Sequence, residues 1–274
     1  MSQPSTPSKR ERRDAARAER LERERAATAA ASRKKRLSIL GGLLAAAVVI
    51  VAVAIVISSS GGGGSKPKNA SSGSGVADAA ATQSLFAGLP QQGVTVGRAD
   101  APVTIVEFAD PQCPFCKDFA LQQLPKVVTD YVRTGKAKME LRYLAFIGPD
   151  STKAANVLEA AGLQNKLWDA SDLLYRNQGE ENSGYVTDAF LKGILTGVGA
   201  DDAKALSAAG SSAVTEQLGA SKTLASRYGV SATPTILVGP TGGDLQKVGG
   251  QAPTAAAIGR LVDQALKAKG SSGT

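Results

Sequence analysis

Both cysteines of the chain lie in one short segment, Cys113-Pro114-Phe115-Cys116. The segment follows the apolar run Val103–Ala109, which predicts a buried β-strand, and it opens a stretch with a helical pattern. The N-terminus of a helix stabilises an anion, because it carries unpaired N–H groups and the positive end of the helix dipole. Cysteines in Cys-x-x-Cys motifs have pKa values of roughly 3.5–7.5, so the sequence predicts a reactive thiolate at Cys113.

The spacing of the two cysteines predicts a different role for each. Cys113 opens the helix, where we expect it to face solvent and to attack or be attacked in disulfide exchange. Cys116 lies about one turn further in, and we expect it to be shielded and to resolve the mixed disulfide. Pro114 suits the first helical position, because its missing N–H group costs nothing there.

The composition excludes several kinds of chemistry. The chain of 274 residues has no histidine, which rules out Ser-His and Cys-His mechanisms. Its two cysteines leave none for a structural disulfide framework. A tetrahedral zinc site remains an alternative only if a dimer shares four thiolates or carboxylates supply the missing ligands. We therefore predict a redox pair and no metal.

Basic charge is concentrated in the N-terminal tail, residues 1–36. This tail has 12 Lys or Arg against 5 Asp or Glu, whereas the whole chain has a net charge of +8. It has too few large apolar side chains to form a core, so we interpret it as a solvated tail beside a membrane. The cluster Arg33–Arg36 could bind anionic lipid or, as a weaker alternative, nucleic acid; we predict no nucleic-acid partner.

The next segment, residues 37–57, predicts a single transmembrane helix. Ile39–Ile57 is a run of 19 residues without a polar side chain, which makes about 29 Å of helix. Because the basic cluster precedes it, we expect a cytoplasmic N-terminus and an extracytoplasmic remainder. A cleaved signal peptide is the alternative, although the leading segment and the apolar run are both long for one. Residues 58–81 predict a flexible Gly/Ser linker.

Residues 82–270 predict one α/β domain, followed by a short tail, residues 271–274. Strand, helix and strand in succession indicate a βαβ unit with a right-handed crossover. A helix is expected from Cys113 to about Arg133, with a kink at Pro125. The strands of this half are expected at Val94–Val96 on the edge of the sheet, at Val103–Ala109 in its centre and at Lys138–Ile147.

The second half of this domain begins with helical patterns only. Residues 151–228 therefore predict an all-helical insertion. Thr235–Val238 and Leu245–Val248 then predict two short strands joined by a glycine-containing turn. Thr254 is expected to cap a last helix that runs to about Lys267.

From Gly93 to Lys269 the chain resembles the thioredoxin superfamily and, within it, the DsbA-like thiol:disulfide oxidoreductases. The resemblance depends on the strand-to-helix junction with Cys113 and Cys116, a strand after that helix, a helical insertion, and Thr233-Pro234 before a later strand. It implies a thioredoxin fold with a helical insertion, here preceded by a transmembrane helix. It also implies that Pro234 is cis and that the Thr233 backbone pairs with an extended substrate.

The family also assigns a role to Glu107, which lies six residues before Cys113 on the predicted central strand. DsbA-like proteins place an acidic residue beneath the active site, where burial raises its pKa and lets it exchange a proton with the second cysteine, here Cys116. The alternative is a glutamate at the strand end that faces water. Strongly oxidising members carry His where this chain has Phe115, so we expect a milder oxidant. Phe115 is expected to be exposed, and Phe108 and Phe119 to lie in the core.

The function expected from these residues and this resemblance is the introduction of disulfide bonds into secreted or cell-envelope proteins, at the extracytoplasmic side of the cell membrane. The only redox group would be the Cys113–Cys116 disulfide, with no further cofactor. The resemblance implies cysteine-containing protein substrates and a membrane reoxidation partner of the DsbB or vitamin K epoxide reductase type. A reductase or isomerase of the same fold, or a tethered binding or chaperone module with an inert disulfide, remain alternatives, because the motif alone does not set the direction of electron flow.

Overall fold

A six-stranded sheet in the order β1-β2-β4-β3-β5-β6 forms the centre of the computed structural model, which describes residues 76–249 and 253–271. β3 and β4 run parallel, and the four other pairs are antiparallel. The strands are β1 (Gln91–Gln92), β2 (Thr95–Val96), β3 (Val103–Ala109), β4 (Ala137–Tyr143), β5 (Thr235–Pro240) and β6 (Gln246–Lys247).

Helices cover the sheet, and five of them lie consecutively between β4 and β5 in the described part of the chain. These five correspond to the predicted helical insertion. The helices are α1 (Ala79–Phe86), α2 (Pro114–Gln122), α3 (Leu124–Val127), a π-helical turn (Val128–Val132), α4 (Pro149–Gly162), α5 (Leu167–Arg176), α6 (Asp188–Gly197), α7 (Asp202–Ala208), α8 (Ser212–Arg227) and α9 (Ala255–Ser271).

The central strand β3 is buried along its whole length, as its β-branched and apolar sequence predicts. Successive side chains of a strand point to opposite faces of the sheet. Val106 and Phe108 therefore pack in the smaller core, with Ala225 of α8. Ile105 and Ala109 belong to the larger core, beneath α2 and the helical insertion. By the same alternation, Glu107 points into the larger core.

The helix that follows β3 is interrupted, as the proline in its sequence predicts. α2 ends at Gln122, and α3 begins at Leu124 with Pro125 in its first turn. Pro125 has no N–H group and its ring would clash with the carbonyl one turn earlier, so the helix breaks two residues before it. A π-helical turn then continues to Val132.

The elements at the two ends of the domain agree with the sequence in type and differ in detail. The predicted edge strand Val94–Val96 is wrong in its position: β2 lies between β1 and β4, because Gln91–Gln92 pairs with it as the outer strand. The predicted β5–β6 hairpin is confirmed. The Thr254 hydroxyl accepts a hydrogen bond from the Ala257 N–H group and so caps α9, as predicted.

The predicted tail 1–36, transmembrane segment 37–57, most of the linker 58–81 and the end of the tail 271–274 lie outside the described residues. Across residues 76–249 and 253–271, none of the helices combines the length and the hydropathy that crossing a membrane requires.

Candidate active site

The Cys113 thiol lies at the start of α2, directly after the turn that follows β3. Cys113 has an extended backbone (φ −66°, ψ 119°) and is the N-cap of α2, with Pro114 in the first turn. The expectation that Cys113 faces solvent is wrong, because the residue is only 4% exposed. The loop before β5 covers it: the thiol donates a hydrogen bond to the Thr233 carbonyl, with an Sγ–O distance of 3.4 Å.

Hydrogen bonds lower the pKa of the Cys113 thiol to about 6. The largest contribution is the hydrogen bond from the Cys116 thiol, and the Thr233 side chain and the N–H groups of Phe115 and Cys116 add to it. Burial acts in the opposite direction and is outweighed. Cys113 is therefore mostly a thiolate at neutral pH, which is the nucleophilic form.

The Cys116 thiol has the opposite electrostatic environment. It is 0% exposed, and burial raises its pKa well above the ordinary value. Its hydrogen bond to Cys113 and the negative charge expected there raise the pKa further. The two cysteines are not joined by a disulfide bond in this structure. One residue of the pair is thus a thiolate at neutral pH and the other a neutral thiol that donates to it.

Glu107 lies beneath this pair, on the face of β3 that α2 covers. It is 1% exposed and pairs across the sheet with Leu141 and Ile236, so the alternative of a water-facing glutamate is excluded. Burial alone raises the pKa of its carboxyl to about 8. Glu107 is therefore neutral at the lower end of the physiological range and able to give a proton there.

The loop that faces Cys113 contains a cis peptide bond between Thr233 and Pro234, as the family resemblance implies. The sequence separates Thr233 from Cys113 by 120 residues, yet the fold brings them into contact. All seven residues proposed from the sequence therefore lie in one region: Glu107, Cys113, Pro114, Phe115, Cys116, Thr233 and Pro234. Their chemical roles stay predictions.

A groove with apolar and polar walls opens beside Phe115, the residue between the two cysteines. It has a volume of about 200 Å³ and is lined by Phe115, Phe119, Pro234 and Pro253, among others. Phe115 is 66% exposed, and Phe108 and Phe119 are buried, as predicted. The groove therefore offers apolar surface next to the reactive sulfur.

Sequence reasoning missed the carboxylate that anchors this region, Asp110. It is fully buried and accepts hydrogen bonds from the N–H groups of Gln112, Phe146 and Ile147 and from the Ser151 hydroxyl. Asp110 thereby ties the turn before Cys113 to the loop after β4 and to the start of α4. An aspartate directly after a strand and before a proline is a turn signal that could have indicated it.

Gln178, in the loop after α5, was also missed. Its side-chain amide donates to the carbonyl oxygens of Pro111 (3.0 Å) and Cys113 (3.2 Å). Gln178 lies 65 residues after Cys113, and no local pattern marks it. The helical insertion therefore supports the backbone of the reactive turn from the side.

The sheet carries a Cys-x-x-Cys pair at the start of the helix after its central strand, and a loop with a cis proline faces that pair. This arrangement defines a thioredoxin-fold protein with a thiol–disulfide site. A family model described as thioredoxin matches residues 90–261, more than half of the chain. The chain therefore belongs to the thioredoxin family.

The chain is similar in sequence to curated relatives and in fold to solved structures. The probable disulfide bond formation protein D of Bacillus cereus is 34% identical over 113 residues, which are 40% of this chain and 51% of that protein. The chain thus spans about half the length of the curated relatives it matches. The crystal structure of oxidised BdbD from Bacillus subtilis, 25% identical, has a TM-score of 0.57 and covers 65% of this chain and 97% of its own. DsbA of Chlamydia trachomatis, 24% identical with a TM-score of 0.55 over 64% of this chain and 91% of its own, is similar in fold.

The lowered pKa of Cys113 gives a direct prediction for alkylation. The rate at which iodoacetamide modifies the reduced protein should rise with pH through about 6, because the thiolate is the reacting form. In the control Cys113→Ser, the remaining Cys116 should react far more slowly at pH 7, since it is buried and neutral. A rate that rises only near pH 9 would contradict the site described above.

Burial of the Glu107 carboxyl predicts that Glu107→Gln stabilises the protein. The pKa is raised from 4.5 to about 8 in the folded state, so the folded protein keeps a proton that the unfolded chain loses. Wild-type stability contributed by this group is complete below pH 4.5 and is lost as the pH rises through 8. The variant has no such loss and should be more stable by about 3 kcal/mol at pH 7 and about 4 kcal/mol at pH 8.

Urea unfolding of both proteins at pH 5 and pH 8 measures this difference. Glu216→Gln, which alters an exposed carboxyl on α8, is the matched control and should change stability equally at both pH values. A gap between Glu107→Gln and the wild type that does not grow with pH would show that Glu107 is ionised in the folded state.

Proposed function

We propose that this chain is a thiol:disulfide oxidoreductase that exchanges disulfides through Cys113 and Cys116. The observation that carries the proposal is the asymmetry of the pair, a thiolate with a pKa of about 6 beside a buried thiol. A structural disulfide needs no such asymmetry, whereas exchange needs one sulfur that attacks and leaves easily. The names of the relatives, which refer to disulfide bond formation, support the same activity.

In the oxidising direction a substrate thiolate attacks Sγ of Cys113. A bond forms between the substrate sulfur and Cys113, the Cys113–Cys116 bond breaks, and its electron pair stays on Cys116. A second substrate thiolate then attacks the substrate sulfur of this mixed disulfide, and Cys113 leaves as a thiolate. The substrate loses two electrons and the enzyme gains them. The low pKa of Cys113 favours this direction, because it stabilises the group that leaves in the second step.

Glu107 would supply the proton that Cys116 needs. A thiolate at Cys116 is strongly unfavourable in its buried position. Glu107 lies on β3, the strand before the helix that carries Cys116. Its carboxyl has a pKa of about 8, so it is neutral below that pH and can protonate the leaving sulfur. During reoxidation the same carboxylate would remove the proton again.

The loop at Thr233 and the groove at Phe115 suit an extended, partly apolar polypeptide. Thr233 is half-buried beside Cys113, so a substrate cysteine that reaches Cys113 must pass this backbone. The groove beside it is lined by four apolar side chains, Phe115, Phe119, Pro234 and Pro253, and by four polar ones, Asp118, Gln122, Gln123 and Thr254. Unfolded secreted or cell-envelope proteins expose their own cysteines as well as apolar residues, and we propose them as substrates.

We also propose a membrane location for the chain and a membrane partner that reoxidises its cysteines. The apolar segment 37–57 would anchor the chain in the cell membrane, with the catalytic domain on the extracytoplasmic side. Each turnover leaves reduced cysteines, so a membrane oxidant of the DsbB or vitamin K epoxide reductase type would regenerate the disulfide.

A second candidate function is disulfide reduction or isomerisation by the same pair. One relative has a name that states disulfide interchange without a direction: the thiol:disulfide interchange protein DsbG of Escherichia coli is 36% identical over 72 residues, 26% of this chain and 27% of that protein. The chemistry at Cys113 is the same, and the redox potential relative to the partner sets the direction.

The test of the proposed activity is the variant Cys113→Ser. The full chain, with Cys113–Cys116 oxidised, should form a disulfide in a reduced two-cysteine peptide, and Cys113→Ser should form none. Cys116→Ser is the matched variant, because it keeps the nucleophile. After Ellman's reagent has oxidised its Cys113 to a mixed disulfide with the aromatic thiol, the thiolate of a single-cysteine version of the peptide should displace that thiol, and the mixed disulfide with the peptide should accumulate. Undiminished peptide oxidation by Cys113→Ser would end the proposal.

The residue between the cysteines should set how oxidising the enzyme is. Phe115→His adds a group that can be positively charged beside the Cys113 thiolate, which should lower the pKa of Cys113 and favour the reduced enzyme. In glutathione buffers we expect the ratio of reduced to oxidised enzyme to rise about tenfold, or about 30 mV. Phe115→Leu is the uncharged control and should leave the ratio unchanged. An equal shift in both variants would contradict an electrostatic cause.

A further inference from the structure

A small cavity lies between the strands β3 and β4, the helices α2 and α3, and α5 of the helical insertion. The volume open to the centre of a water molecule is about 10 Å³, which is about enough for one water. Two carboxyl groups line it, Glu107 from the sheet and Asp172 from the helical insertion. The cavity therefore connects the residue proposed to protonate Cys116 with a second acidic side chain.

Asp172 is 2% exposed, and among the described residues only one of its two carboxyl oxygens has a hydrogen-bond partner. Oδ2 accepts hydrogen bonds from the Thr82 hydroxyl (2.5 Å) and from Nε of Arg176 (2.7 Å). Oδ1 is buried and has no hydrogen-bond partner among the described residues. A buried carboxylate oxygen without a donor is costly, and one water in the adjoining cavity would satisfy it.

We propose that Asp172 is a positioning residue that holds a water in this cavity and so connects Glu107 to solvent. The inference rests on the proposed function and extends it to the route of the proton. The Arg176 side chain, which pairs with Asp172, is 18% exposed and marks the end of the route at the surface of the insertion. Asp172 acts through Glu107 and does not touch the reacting sulfurs.

The proton balance of the reaction determines the pH range in which Asp172 is needed. Attack of an external thiolate on Cys113 breaks the Cys113–Cys116 bond and leaves the electron pair on Cys116, which must take up one proton. Below the pKa of Glu107, about 8, the carboxyl already holds that proton and gives it directly. Above that pH Glu107 is ionised, and the proton has to enter from solvent, through the water that Asp172 holds.

Other titratable groups surround this route and have to be separated from it. Tyr143 of β4 and Tyr175 of α5 face Glu107, and burial raises the pKa of each well above its ordinary value, so both stay neutral. Glu159 of α4, whose pKa burial raises to about 7, titrates in the same range and faces Tyr143 and Arg142. Asp169 is the nearest acidic neighbour of Asp172 on α5 and binds Gln91.

The experiment measures how fast glutathione reduces the oxidised full chain between pH 6 and pH 9. Reactions are quenched in acid, free thiols are trapped and counted, and rates are divided by the concentration of glutathione thiolate. Asp172→Asn should change the rate less than twofold at pH 6 and lower it about tenfold at pH 9. This is less than the roughly 10²–10⁴-fold that a direct proton donor contributes, because Asp172 acts through Glu107. The slow reaction at pH 9 should also have a larger solvent deuterium isotope effect than the wild type.

Asp169→Asn is the matched control on the same helix, and Glu159→Gln tests the other group that titrates in this range. Both should keep the wild-type pH profile. Ala120→Val provides a second route: Ala120 lines the cavity, so a larger side chain displaces the water while Asp172 stays. It should reproduce the defect at pH 9, and it tests the inference even if Asp172→Asn fails to fold.

A defect of equal size at every pH, no defect, or the same profile in Asp169→Asn would overturn the relay. If the wild type reacts with glutathione and the Asp172 and Ala120 variants match it, the relay alone is wrong. If the oxidised wild type does not react at all, the proposed oxidoreductase function fails together with it.

Discussion

The structure of the site depends on a thiolate at Cys113 that survives almost complete burial. Burial alone would make this sulfur a neutral thiol, and hydrogen bonds to the sulfur reverse that tendency. The strongest of them comes from Cys116, the residue with which Cys113 forms the disulfide. Oxidation removes this hydrogen bond together with the thiolate, so the interaction stabilises the reduced state only. A sulfur stabilised in this way is a good leaving group as well as a nucleophile.

The rest of the domain provides the geometry that this interaction needs. β3 is buried on both faces and holds Glu107 beneath the pair. Asp110 fixes the turn between β3 and α2 by four hydrogen bonds to three separate segments. The loop at Thr233 closes over Cys113 from the other half of the sheet. Glu107 and Asp110 are buried and Thr233 is half-buried, and their contacts hold the two cysteines in the geometry that exchange needs.

Local sequence patterns were sufficient for the strand, the helix start and the break before Pro125, because each of these features depends on neighbouring residues. The motif order placed Thr233 and Pro234 at the site through the family resemblance. The burial of Cys113 was mispredicted, because the covering loop lies 120 residues away. Gln178 and Asp172 could not be found from the sequence, since their roles arise only when the helical insertion packs against β3 and α2. Asp172 resembles an ordinary i,i+4 partner of Arg176 in the sequence.

The most direct test of the account is the glutathione redox equilibrium of the full-length wild-type protein, with trapping of the Cys113 and Cys116 thiols. Because the Cys113 thiolate stabilises the reduced form, the potential should lie well above the value of about −270 mV that thioredoxin has. A potential at or below that value would contradict the account: it would show that the thiolate does not favour reduction and that electrons flow from this protein to its substrates.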